Sequence, residues 1–300
     1  MMTAVEAEQH IETTAQHAEA VAEHGGGSSD VGGHILHHIL DSHEFVFWLP
    51  QWSIDLPHLQ LPAWLGGFDV SITKHVVFMW IVAAFLLLIF GLAARRAGEQ
   101  VPRGLRNALE VLIVFIRDEV ARKSIGPGAD RFVGYLLTTF FFILCCNLMG
   151  LIPGGSTATG NISVTAGLAI MAFVMIQYSG IREHGLVTHI KNLVPHGLPV
   201  LLVPIIFVLE VLSMLIKPFA LCIRLFANMM AGHVAILAFF SLVFILSEIY
   251  SGVVGVAVSP FVIAFELFVH LLEILVAFLQ AYIFTMLTAN FIGMSMHPAH

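Results

Sequence analysis

The sequence predicts an all-α polytopic membrane protein: about five membrane-crossing helices plus an amphipathic interfacial helix, the last two long helices strongly tilted or bent. Three observations carry this prediction. Hydrophobic residues make up 58% of the chain and charged residues only 11%, with a mean hydropathy of +0.90, whereas soluble domains are about 25% charged. The apolar residues gather into runs long enough, at about 20 residues each, to cross a hydrocarbon core as helix. Helix is the state lipid permits, because it satisfies every backbone N–H and C=O internally. Charge, finally, is segregated: eight of the 13 Lys and Arg residues fall between the first two runs. The net charge of −7 therefore describes no single surface. This composition excludes a soluble enzyme, and no nucleic-acid partner is expected.

Residues 1–33 are acidic and polar, without the basic start and apolar centre of a signal peptide, and are expected to form a flexible, His-rich tail. Eight of the 16 histidines precede residue 60, but no ligand spacing repeats, so a solvated tail is preferred to a metal site. Residues 34–74 form an outer interfacial segment marked by Trp48, Pro50, Trp52, Pro57, Pro62 and Trp64. The first span is 75–93. Arg95, Arg96, Arg103, Arg106, Arg117, Arg122, Lys123 and Arg131 then place the next loop on the cytoplasmic side, and so the N-terminus outside.

Within that loop, Leu105, Leu109, Leu112, Ile113, Ile116 and Val120 recur at helical spacing. An amphipathic helix is predicted over 103–124, lying on the inner surface or meeting a partner helix; an interfacial anchor is preferred. A hairpin of spans follows over 132–180, turning through the uncharged "PGGSTATGN" outside. Arg182 and Lys191 mark the return to the inner side. Cys145, Cys146 and Cys222 lie in apolar runs, with neither disulfide nor metal spacing, and read as packing residues.

Two long apolar segments, 200–249 and 253–294, close the chain. As helix, 45 residues would run about 68 Å against a core of about 30 Å. Such helices must tilt by roughly 60°, beyond the usual range of about 0–40°, or break; Pro218 and Pro260 are the candidates for a break. A pair of this kind suits a curved partner surface better than a simple anchor.

Both segments carry ionisable residues in stripes. Positions seven apart lie within about 20° on a helix. Glu210, Lys217 and Arg224 are so spaced, Asn228 follows Arg224 by one turn, and Ser213 lies close by. His233 falls on roughly the opposite face. In the last segment Glu266, His270, Glu273 and Gln280 form a second stripe. Counting from the turn near Tyr250–Gly255 brings His233 and Glu273 to comparable depths. A lone buried Glu or His reads as a satisfied core residue, but seven ionisable groups on two adjacent helices do not. Intramembrane carboxylates and histidines in series mark ion pathways and proton relays. Arginine never releases its proton in such a setting, so Arg224 is a fixed charge.

These residues resemble the F-type ATP synthase subunit a family, the membrane stator of a rotary motor. "KPFALCIRLFANMMAGH" is similar to the family signature, "FLQAYIFTMLT" to its final helix and "NLMGLIPG" to its second span; the likeness covers about 70–294. The resemblance implies two proton half-channels serving a rotating ring of c subunits, with peripheral-stalk b subunits as further partners. It implies that Arg224 faces the ring carboxylates, that Asn228 accompanies it, and that Glu210 belongs to the inner path. It implies a proton-translocation role for His233, Glu273 and Gln280, with Glu266 and His270 in the same stripe. His233 and Glu273 stand in an order reversed from many bacterial members. The setting it implies is a bacterial inner membrane with the C-terminus cytoplasmic. No catalytic residue, cofactor or metal is expected, since no phosphate-binding loop is present. The competing classes are a secondary transporter and a structural anchor. The halves of the chain do not repeat, against the first, and an anchor leaves Arg224 unexplained.

Overall fold

The structure, a computed structural model, describes residues 44–46, 53–55, 73–95, 104–152, 157–191, 202–250 and 252–297. The sequence-predicted tail over 1–33 lies outside these residues. Two short strands, β1 (Glu44–Val46) and β2 (Ser53–Asp55), pair antiparallel with Phe45 opposite Ile54. Everything else of regular structure among the described residues is helical: α1 (Lys74–Arg95), α2 (Leu105–Phe115), a π-helical segment (Ile116–Ala121), α3 (Arg122–Ile125), α4 (Asp130–Gly150), a 3-10 turn (Ala158–Gly160), α5 (Ile162–His184), α6 (Leu186–Lys191), α7 (Val203–Ile249) and α8 (Gly252–Met296). Five of these helices, α1, α4, α5, α7 and α8, are long and apolar enough to cross a membrane.

The chain divides into two compact units whose boundaries cut both long helices, at Met230/Ala231 and Leu271/Leu272. The larger unit holds α1–α6, the start of α7 and the end of α8. Its core gathers Phe132, Leu136 and Phe140 of α4, Ala172 and Ile176 of α5, Leu221 and Leu225 of α7, and Phe284 and Ile292 of α8. In lipid there is little hydrophobic drive between helices, so fit and hydrogen bonding decide their packing. Edge-on ring contacts supply part of that fit, with Phe140 set 5.3 Å from Phe141 and 5.8 Å from Phe278.

The amphipathic segment enters this core. Where α2 gives way to the π turn, the wider winding turns Ile116, Val120, Ala121 and then Ile125 inward together, all fully or nearly fully buried. Of the face read as a surface anchor, Ile116 and Val120 are covered by the chain's own helices, while Leu109, Leu112 and Ile113 are half-buried. Gly293 of α8 makes the contact possible: a Cβ there would collide with the Ser124 carbonyl and sit 3.1 Å from Ile125 Cα. Gly126, at φ 76°, then ends α3 in a backbone form that disfavours side chains. On the exposed side Arg122 bridges Asp118 (2.9 Å) and Asp130 (3.1 Å), and Lys123 pairs with Glu119.

The smaller unit's described part is a helical hairpin, 231–250 and 252–271. Near the turn, Gly255 lies so close to Ser247 that an added Cβ would stand 2.6 Å from the serine Cβ. Further along, Phe239 and Phe265 meet edge to face at 4.6 Å. The prolines break neither helix: α7 continues through Pro218 and α8 through Pro260. At Pro260 the reason is visible. Proline supplies no N–H to the Val256 carbonyl one turn back, and the Ser259 hydroxyl donates to that carbonyl instead, at 2.9 Å.

Candidate functional site

On α7 the side chains that face the core follow helical spacing: Leu221, Cys222, Leu225 and Met229 are buried. Ile216, Phe219, Ile223 and Ala227 are exposed on the other side. Arg224 and Asn228 lie on the border of this open face, and both are exposed. Arg224 makes no hydrogen bond or ion pair among the described residues. It sits near the middle of a 47-residue helix, several turns from either end, farther than a snorkelling side chain reaches along a helix.

Beneath it, α8 presents a buried face of Glu273, Ala277, Gln280, Ala281 and Phe284. Gln280 is 2% exposed and accepts a hydrogen bond at 2.8 Å from the Asn228 side-chain amide. Lys217, one stripe position before Arg224, lies over the Phe291 ring at 5.4 Å. The two contacts are equally spaced along both helices, which fixes one antiparallel register for this part of α7 and α8. Of the residues singled out from sequence, the structure therefore joins Asn228 to Gln280 and sets Arg224 beside them. Glu273 is buried on the same face of α8, and Glu210 is half-buried on α7. His233, Glu266 and His270 belong to the smaller unit, each half-buried.

Sequence reasoning missed a second polar element. Asn147 of α4 and Thr159 of the short 3-10 turn Ala158–Gly160 are both fully buried. The Thr159 hydroxyl donates to Asn147 Oδ1 at 2.6 Å, and Asn147 Nδ2 donates to the Ala277 carbonyl at 3.3 Å. The available signal was an amide inside an otherwise apolar span.

Outside the spans, two shifts have clear causes. The hydrogen bond from the Arg117 guanidinium holds the Asp118 carboxyl below the usual carboxylate range. Burial, with His184 adding to it, lowers His189, whose ring lies 3.0 Å from Gln177 Oε1.

The family model described as ATP synthase A chain matches residues 76–293. The chain belongs to the ATP synthase A chain family. Among curated relatives, the ATP synthase subunit a of Chloroherpeton thalassium is 48% identical over 273 residues, spanning 88% of this chain and 77% of that protein. The ATP synthase subunit a 2 of Chlorobaculum tepidum is 48% identical over 271 residues, 88% of this chain and 73% of its own length. The subunit a of Anaeromyxobacter dehalogenans, at 43% over 282 residues, covers 90% and 71%. The family match takes in the helices that carry Arg224 and Gln280, and this member of the ATP synthase A chain family is a multi-pass membrane protein by relatives and helix composition together.

Proposed function

We infer that this chain is the membrane stator of a rotary F-type ATP synthase, in which Arg224 separates two proton half-channels. The single observation that carries this is the exposed guanidinium in mid-helix. A charge at such depth costs between about 2.5 and 17 kcal/mol by different measures. A second protein that brings a carboxylate to Arg224 offsets that cost, and the adjoining Ile223 and Ala227 give it an apolar surface to ride on. The partner of that chemistry is a ring of c subunits; peripheral-stalk b subunits hold the stator in place.

A proton enters from outside past His233 and Glu273, with Glu266 and His270 along the same stripe. It neutralises a ring carboxylate, which then rotates through lipid. After nearly a full turn the carboxylate returns to the inner path near Glu210 and gives the proton up. Arg224, unable to deprotonate, keeps the arriving carboxylate ionised and repels protons that would cross directly. Asn228 and Gln280 hold this face of the helix pair in register. Each proton delivers about 2.3 kcal/mol per 100 mV, so rotation must sum several to make one ATP. The ATP chemistry itself takes place in other subunits. The chain lies in a bacterial inner membrane with its N-terminus outside and its C-terminus in the cytoplasm.

Purification in mild detergent tests the reading. A small two-helix proteolipid with an intramembrane carboxylate should come down with this chain in many copies, and a carbodiimide that labels that carboxylate should stop proton flow. Isolation of the chain with no such proteolipid would refute it.

A further inference from the structure

Thr159 and Asn147 belong to neither long helix, yet their hydrogen bonds end on the helix that carries Gln280 and Glu273. Ala277 lies one turn after Glu273 and just under one turn before Gln280, on the same buried face. Its carbonyl can only accept, so the amide nitrogen of Asn147 must face it, and Oδ1 is left to take the Thr159 hydroxyl. A helical carbonyl has a second lone pair after its own N–H bond, so this contact adds to the α8 ladder without breaking it. Both side chains are fully buried, which removes water as a substitute partner. The turn that carries Thr159 is itself drawn onto α4. Gly150 has no room for a Cβ because Thr157 occupies that space, and the contact seats the 3-10 turn above Asn147.

We propose that Thr159 and Asn147 are positioning residues for proton transfer: they pin the rotation of α8 at Ala277 and so set the reach of Gln280 to Asn228. Next to Gln280, Ala281 and Phe284 of α8 pack in the apolar core, and apolar packing alone permits small rotations about the helix axis. A directed bond to one carbonyl does not. The rotation matters because the Gln280–Asn228 bond, at 2.8 Å, tolerates little displacement before it opens. The inference rests on the stator reading given above.

The test uses the assembled complex in vesicles, with proton conduction through the membrane sector measured per assembled complex. Thr159→Val keeps the shape and removes the hydroxyl; it is expected to lower conduction about 3-fold or more, in line with the loss of one intramembrane hydrogen bond. Thr159→Ser should restore it. Asn147→Leu should reproduce the loss. A cysteine pair at Asn228 and Gln280 should oxidise to a disulfide less completely when Thr159→Val is added, a change in geometry that reduced assembly does not produce. Unchanged conduction and unchanged disulfide yield in Thr159→Val would overturn the proposal. So would failure of that variant to assemble, because the hydroxyl would then serve folding alone. ATP-driven pumping by Arg224→Ala is measured alongside: if it pumps normally the stator reading fails, whereas loss of pumping in Arg224→Ala beside unchanged conduction in Thr159→Val removes only the positioning pair.

Discussion

Replacing Gln280 with Leu removes the acceptor of a side-chain hydrogen bond that ties α7 to α8 one turn from Arg224. Leucine fills nearly the same space, so the variant isolates the polar contact from the packing around it. Intramembrane hydrogen bonds average about 0.6 kcal/mol and reach about 1.7. Gln280 is 2% exposed, so the leucine that replaces it meets little water. Asn228 is exposed and retains freedom to turn elsewhere, which keeps the cost within that range. Converted to rate, the loss is expected to be about 3-fold to about 18-fold in proton conduction. The assay is passive proton flow through vesicles stripped of the catalytic head, driven by a potassium diffusion potential. Asn228→Leu should show a similar loss, and the double variant should be little worse than either alone, since both remove one bond. Fully additive losses would show that the two amides act separately, and normal flow in Gln280→Leu would show that the bond does not matter.

Gly293→Ala places a methyl against the Ser124 carbonyl and is expected to cost about 1–3 kcal/mol by overpacking. The level and melting temperature of assembled complex should fall, while Gly134→Ala, which has open space around its Cβ, should leave both unchanged; equal behaviour of the two would refute the packing argument. His189 has a depressed pKa in the folded chain. Below about pH 6.5 the unfolded chain takes up the proton first, so stability should fall as pH drops from there toward the folded value and stay level above it. His189→Gln should flatten that slope in melting experiments run between about pH 5 and about pH 8; a slope that persists unchanged would assign it to other groups.

The sequence made the membrane class legible because lipid leaves few solutions: long apolar runs must be helices, and a concentration of arginines marks one side. The polar stripes were legible for the same reason. Arg224, Asn228 and Gln280 stand out by being costly where they are, but the stripes did not pair Asn228 with Gln280; that contact needs the register of the two packed helices. Other features depend on contacts that no period encodes. The π turn at Ile116–Ala121 is a response to packing against α4, and local propensity does not select it. The helix through Pro260 survives by a hydroxyl, Ser259, which a rule about proline alone does not consider. Asn147 and Thr159 carry no charge and repeat at no interval, so they are invisible until the fold brings α4 beside α8. The strand pair at Glu44–Val46 and Ser53–Asp55 lies in a Trp- and Pro-rich stretch whose composition pointed only to an interface.

ATP-driven proton pumping by inverted vesicles that carry Arg224→Ala in the intact complex tests the role of the mid-helix cation most directly. Pumping and ATP synthesis should both vanish, while the detached catalytic head still hydrolyses ATP at its normal rate. Pumping at the wild-type rate, with the alanine verified in the assembled complex, would contradict the assignment of Arg224 as the barrier between two proton paths.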